Sequence, residues 1–288
     1  MTDDPTTAFE THRALLVGAA YRVLGSHVDA EDVVQEAWIR WSAVDPETVD
    51  DPRAYLITIA TRLALNRARD LQARRESYVG PWLPEPVATD PRGDGAAAAE
   101  LADDVSMALL IVLESLSPLE RAAFVLTDVF GMPSGEVGAA LDRSPGAIRQ
   151  LVHRARSHIE ARQPREVVDT ARHREVTLQF MDAALSGDIE ELLAVLSPDV
   201  TLVTDGGGLK KAALRPIASA EKVARWILGV LTRPDTPGLV ADLRVVNGEL
   251  AIVLSSADGV DSVLFLTVQG DRIAALHSIR NPEKLSAV

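Results

Sequence analysis

The sequence predicts a multidomain chain: two all-α pieces, the second built around a helix-turn-helix, followed by an α+β cone. Three observations predict it. Residues 8 to 75 and 101 to 162 repeat their apolar residues at helical spacing with few breakers. The stretch between them, GPWLPEPVATDPRGDGAAAAE at residues 80 to 100, is rich in Pro, Gly and Ala and reads as a flexible linker. Beyond Gln163 and Pro164, two helical segments give way to the runs VTLVT, LVADLRVVN, LAIVLSS, SVLFLTV and RIAALHSI. These are strands by their Val, Leu and Thr content, and Asn247-Gly248, Asp258-Gly259 and Gly270-Asp271 are hairpin signals between them.

At 288 residues the chain has room for two or three domains with cores of their own. Hydrophobic residues make up 47% and charged residues 25%, and no apolar run approaches the roughly 20 residues that span a bilayer. The first residues, MTDDPTTAFE, are acidic and do not read as a signal peptide, so a cytoplasmic place is expected. Without cysteine there is no disulfide framework, thiolate zinc site or cysteine nucleophile. The six histidines show no metal-ligand spacing, and no cofactor or metal is expected. A net charge of -13 opposes indiscriminate binding to nucleic acid, so any basic patch has to be weighed locally.

In chain order, the first informative segment is DAEDVVQEAWIRW. A helix there buries Val33, Val34, Ala37, Trp38 and Trp41 and presents Glu31, Asp32, Gln35, Glu36 and Ile39. An exposed isoleucine among acids hints at a protein-binding surface. A helix starting at about Arg53 buries Leu56, Ile57, Ala60, Leu63, Ala64 and Leu71. Its opposite face carries Tyr55, Arg62, Asn66 and Arg69, a set that could stack and bind unpaired nucleic acid, although Tyr55 by itself reads better as core.

The third segment is SPGAIRQLVHRARSHI. On a wheel, Ile148, Leu151, Val152, Ala155 and Ile159 fall on one side; Arg149, Gln150, His153, Arg154, Arg156 and Ser157 fall opposite. Ser144 is an N-cap with Pro145 at the first helical position. The preceding SGEVGAAL makes a short helix, and the tight DRS connection completes a helix-turn-helix whose second helix suits the DNA major groove. Concentrating arginine on one surface supplies a phosphate-binding term only where it is needed.

SHVDAEDVVQEAWIRW, DPRAYLITIATRLALNRARD and LSPLERAAFVLTDVFGMPSGEVGAALDRSPGAIRQLVHRARSHI, in that order and spacing, resemble the extracytoplasmic-function (ECF) sigma factors of bacterial RNA polymerase over residues 8 to 162. The resemblance implies region 2 at residues 8–75, a linker at 76–104 and region 4 at 105–162. It implies that Asp32, Gln35, Glu36 and Ile39 dock on the clamp helices of the large polymerase subunit. Arg62, Asn66 and Arg69 would meet the -10 element, and Arg149, Gln150, His153, Arg154 and Arg156 the -35 element.

Residues 171–288 run helix, helix, strand, helix and four strands, which suggests a curved antiparallel sheet packed on helices. The pattern resembles the SnoaL-like, ketosteroid-isomerase-like cone. WLPEP (Trp82, Leu83, Pro84, Glu85, Pro86), DGGG (Asp205, Gly206, Gly207, Gly208) and NPEKL (Asn281, Pro282, Glu283, Lys284, Leu285) resemble the motifs of sigma factors carrying such an extension. Leu209 stands where a lysine would follow DGGG, and Glu283 where aspartate is usual. These motifs are expected to form regulatory contacts between the extension and the sigma domains. Asp205 could act as a general base only with a partner acid or oxyanion donor, and the sequence identifies none; no enzymatic activity is expected, and His277 reads as a sheet residue. Two rival readings stay open: a ligand-responsive helix-turn-helix regulator that never joins polymerase, and a small-molecule enzyme fused to a DNA-binding module.

Overall fold

Three long helices open the chain: α1 (Pro5–Leu24), α2 (His27–Trp41) and α3 (Pro52–Arg75). A computed structural model defines them and describes residues 5–45, 48–75, 77–88, 105–162, 168–232 and 238–288. Gly25, at φ 68°, stops α1 in the left-handed conformation that glycine adopts without steric cost. Ser26 then caps α2 by accepting from the Asp29 amide. The apolar faces meet in a core with Leu16, Tyr21, Leu24, Trp41, Leu56 and Ile57 fully buried, and the Trp41 indole donates to the Pro5 carbonyl at 2.7 Å.

The second helical piece holds α4 (Met107–Glu114), α5 (Pro118–Phe124), α6 (Ser134–Leu141) and α7 (Pro145–Glu160). Ser117 and Glu120 form a reciprocal capping box at the start of α5, which runs on into a π turn at Val125–Val129. Both pieces belong to one unit, residues 1–77 with 91–163. A polar lock joins them: Glu114 of α4 receives Arg75 from α3 and Arg121 from α5. The same arginines donate to the last carbonyls of α1, Arg121 to Val23 and Arg75 to Leu24. These donors satisfy acceptors that a helix end leaves without intrahelical partners.

Residues 78–90 and 164–288 form the other unit. The order is α8 (Thr170–Ser186), α9 (Ile189–Val195), β1 (Leu196–Asp205), β2 (Ile217–Ala218), α10 (Ala220–Leu231), β3 (Val240–Val246), β4 (Glu249–Ser256), β5 (Gly259–Gln269) and β6 (Arg272–Ile279). The sheet order is β2-β1-β6-β5-β4-β3. It is mixed and not wholly antiparallel as expected, because β1 and β6 pair in parallel. Parallel neighbours need a crossover, and the passage through α10 supplies it before the β3–β6 meander returns to β1. Asn247 and Gly248, both at positive φ, make the β3–β4 turn. Phe180, Leu192, Leu202, Val223, Ile227, Ile252, Leu266 and Leu276 pack between the sheet and its helices.

The segment read as a flexible linker is in part structural. From Tyr78 to Ala88 it belongs to the α/β unit, with Leu83, Pro84, Glu85, Pro86 and Val87 buried. Pro84 and Pro86 bring no amide hydrogens that would need partners. The Leu83, Val87 and Ala88 amides donate to the Asp205 carboxylate, the Asn247 side-chain oxygen and the Ala287 carbonyl. The rest of the expected linker, residues 89–104 and Glu76, lies outside the described residues.

Candidate functional site

Helix α7 buries Ile148, Leu151, Val152, Ala155 and Ile159 and exposes Arg149, Gln150, His153, Arg154 and Arg156. Ser144 accepts from the Ala147 amide, and Asp142 makes the turn from α6 at φ 53°. Gly138 permits that turn, since a side chain there would run into the Arg143 carbonyl. Three of the exposed arginines have protein partners. Arg154 reaches Glu120 at 2.8 Å, Arg156 reaches Asp128 at 2.6 Å, and Arg149 lies 3.4 Å from the Ser134 hydroxyl. The Asp128 hydrogen bond raises the pKa of Arg156. Burial works against ionisation of Glu120, but hydrogen bonds from Arg154 and Ser117 prevail and its pKa falls.

On α3, Arg62, Asn66 and Arg69 are all exposed. Arg62 donates to the carbonyls of Ala139 and Ala140 near the end of α6, bonds that cross between the two helical pieces. Tyr55, read as core, is instead 37% exposed, because its ring leans on Trp41 from outside with centroids 5.8 Å apart.

Helix α2 exposes Asp32, Gln35, Glu36 and Ile39, the last at 64%. Trp38, expected to be buried, is only partly so; its ring packs edge-on against Phe9, centroids 5.0 Å apart, at the side of the α1–α2 groove. Several acids on this face have intramolecular cations: Arg13 pairs with Glu31, Arg40 with Glu36 at 2.7 Å, and Arg67 with Asp29 at 2.6 Å. The Asp29 hydrogen bond raises the pKa of Arg67.

The three short motifs converge within the α/β unit. Asp205, the last residue of β1, is completely buried and its carboxylate has four donors. Oδ1 accepts from the Tyr78 hydroxyl at 2.6 Å and the Gly207 amide at 3.1 Å; Oδ2 accepts from the Leu83 amide at 2.9 Å and Lys284 Nζ at 2.7 Å. Its backbone carbonyl accepts the Arg280 and Asn281 amides. Lys284 also donates to the Leu83 carbonyl at 2.6 Å and sits 3.1 Å from the centre of the Trp82 ring, a cation–π contact shielded from water. Asn281 donates to the Tyr78 hydroxyl at 3.0 Å and accepts from the Glu283 amide, starting the short turn that carries Lys284 inward.

Burial first, then donation to Asp205, raises the Tyr78 pKa, so the phenol stays protonated as a donor. Gly207 has φ 60°, and the space its side chain would fill is taken by the Asn281 amide. A carboxylate whose oxygens are fully engaged has no lone pair left to accept a substrate proton. That geometry argues against Asp205 as a general base. His277 lies in β6 paired with Phe265, and burial lowers its pKa to about 4. Pro84, Pro86, Gly206, Gly208, Pro282 and the buried Leu285 shape the three segments, whereas Glu85 is buried and Glu283 is exposed.

Sequence reasoning missed Tyr78, whose one signal was an aromatic shortly before a proline-rich motif. It also missed the Glu114 lock, for which no short-range pattern exists. Glu120 and Asp128, partners of the arginines on α7, were overlooked too, although the capping-box spacing of Ser117 and Glu120 was legible.

The helical pieces match two family models, Sigma-70 region 2 over residues 8–75 and Sigma-70, region 4 over residues 106–159. That defines a class, the sigma-70-type initiation factors. The chain is 41% identical over 291 residues to the ECF RNA polymerase sigma factor SigJ of Mycobacterium tuberculosis, covering 96% of this chain and 92% of that one. It is 33% identical over 290 residues to the probable ECF sigma factor SigI of the same species, covering 98% and 95%. The chain belongs to the ECF family of RNA polymerase sigma factors. The crystal structure of M. tuberculosis SigJ superposes with a TM-score of 0.78 at 38% identity, covering 97% of each chain, so the likeness includes the α/β unit. By family the protein is an initiation factor and not an enzyme, and nothing in these matches favours a regulator that works without polymerase.

Proposed function

We propose that this sigma factor binds core RNA polymerase through α2 and directs it to promoters with α3 and α7, and that its α/β unit modulates this activity. Asp32, Gln35, Glu36 and Ile39 dock on the clamp helices of the large subunit. Arg62, Asn66 and Arg69 engage the -10 element, whose strands separate. Arg149, Gln150, His153, Arg154 and Arg156 read the -35 element in the major groove. The protein works in the cytoplasm; no helix among the described residues is long and apolar enough to cross a membrane.

The observation that carries the regulatory part is the fastening of Tyr78–Ala88 to Asp205, Asn281 and Lys284. In the sequence only Glu76 and Ser77 separate the end of α3 from Tyr78. The Arg62 and Glu114 contacts support a resting state in which the two sigma pieces pack on each other. Engaging two separated promoter elements requires those contacts to open. Through the strap, the α/β unit biases the balance between the packed and open arrangements by differential contacts.

Run-off transcription with core polymerase on a promoter library tests both parts. Specific transcripts are expected from the whole chain, with loss of polymerase co-purification on substituting Asp32 and Gln35. Removing residues 281–288, and separately 171–288, is expected to change transcript yield. Failure of the intact chain to bind polymerase overturns the docking reading, and unchanged yield from both deletions overturns the regulatory one.

A further inference from the structure

Between α8, α10 and the concave face of the sheet lies a cavity of about 110 Å³. Its walls are almost entirely apolar, including Phe180, Trp226, Ile252 and Leu264. Such a void forfeits the close packing found elsewhere in protein interiors, and an apolar cavity stays dry and accepts apolar guests of ring size. Its rim contains Leu185, 71% exposed, and Leu231, 38% exposed, large apolar side chains left in water around an opening.

The polar end is an ion pair. Among the described residues, the charged side chains lining the cavity are Asp261 and Arg280. Asp261 pairs with Arg280 at 3.0 Å and, from outside the lining, with the half-exposed Lys210 at 3.3 Å, so two cations stand against one anion at this end. The Ser262 and Ser278 hydroxyls line the same region.

From these observations we propose that the cone binds a small, largely apolar carboxylic acid, with its ring or short chain among the leucines and its carboxylate toward Arg280. Apolar burial supplies the affinity, and the charged end selects acids over amines. The charged end of the site adjoins the Asp205 junction, because Arg280 precedes Asn281 and both amides donate to the Asp205 carbonyl.

Titration calorimetry on the full chain tests the proposal with 4-tert-butylbenzoate, 4-tert-butylbenzamide and 4-tert-butylbenzylamine, three probes with one apolar body and different heads. The expected result is saturable binding at one site, the acid at least about tenfold tighter than the amine. Filling the cavity by Ala184→Phe or, separately, Ala241→Leu is expected to weaken acid binding at least about tenfold while the melting transition stays cooperative. Two variants on different walls keep a readout if one fails to fold. No saturable binding of the acid, equal binding of acid and amine, or acid binding unchanged in a folded filled variant overturns the proposal.

Discussion

The helical unit and the α/β unit use charged side chains in opposite ways. Arg154 and Arg156 on α7 have partners in Glu120 and Asp128, yet both arginines stand more than half exposed. Water and salt screen such pairs, and a phosphate can replace the carboxylate at little cost. At the junction, Asp205 and Lys284 have side-chain exposures of 0% and 7%, and each has further hydrogen bonds. Nothing from solvent can take their place without opening the fold. The arginines of α7 are held by bonds that solvent ions can exchange, whereas the strap is held by buried bonds that they cannot reach.

The largest effect should follow from breaking the buried pair. Lys284→Met leaves the Asp205 charge without its cation, and losing one partner of a buried pair typically costs about 3–5 kcal/mol. Chemical denaturation should show that loss in the α/β unit. Adding Asp205→Asn removes the stranded charge, so the double variant should lose less than the sum of the single losses. Additive losses would mean that the two groups do not form a coupled pair. Gly207→Ala strikes the same junction by a different route: it forces a side chain to φ 60° and into the Asn281 amide. A cost of about 1–3 kcal/mol is expected from backbone strain alone.

Next in size is the lock between the helical pieces. Glu114→Gln keeps the shape but leaves Arg75 and Arg121 without their shared anion. Their bonds to the Val23 and Leu24 carbonyls can survive, so a smaller loss of about 1–3 kcal/mol is expected. Limited proteolysis and small-angle scattering should report a wider distribution of arrangements in the helical unit, with the α/β unit melting as before. An unaltered distribution would show that this cluster does not hold the two pieces together.

Helix faces and hairpin turns were legible because they depend on short-range periodicity and turn chemistry: the burial pattern of α7 follows from its wheel, and Asn247-Gly248 turns where its residue types require. Spacing could identify the three motifs but could not show that they meet, since Trp82, Asp205 and Lys284 are far apart in the chain. Proline and glycine content made residues 80 to 88 look like a free linker. Composition reports the absence of regular structure, and an irregular strap pinned by long-range bonds has the same composition as a loose tether. The parallel β1–β6 pair was hidden for a related reason, because strand patterns do not encode which neighbour closes the sheet.

A contribution that depends on pH, confined to the α/β unit, comes from His277. Its pKa in the fold is lowered to about 4 by burial, against about 6.5 in an unfolded chain. The unfolded state therefore binds more protons across this interval. The stability this group contributes is fully present above about pH 6.5 and is lost as the pH falls toward 4. His277→Gln should flatten that part of the stability profile relative to the parent, while the profile above pH 7 keeps its shape. An unchanged slope between pH 6.5 and 4 would mean that the neutral imidazole is not required in the sheet.

The smallest effect on stability, and a large one on DNA, should come from Arg156→Ala. The arginine side of the lost contact with Asp128 stands in water, so the melting midpoint should move little. In holoenzyme binding to a promoter, however, removing one phosphate contact should lower the slope of log affinity against log salt by about 0.9. Asp128→Asn separates the two roles of the arginine. It frees Arg156 from its intramolecular anion without removing the cation, so promoter affinity should hold or rise while stability again stays level. If Arg156→Ala and Asp128→Asn instead weaken promoter binding equally, the ion pair itself positions α7, and the exchange of carboxylate for phosphate is not how this helix meets DNA.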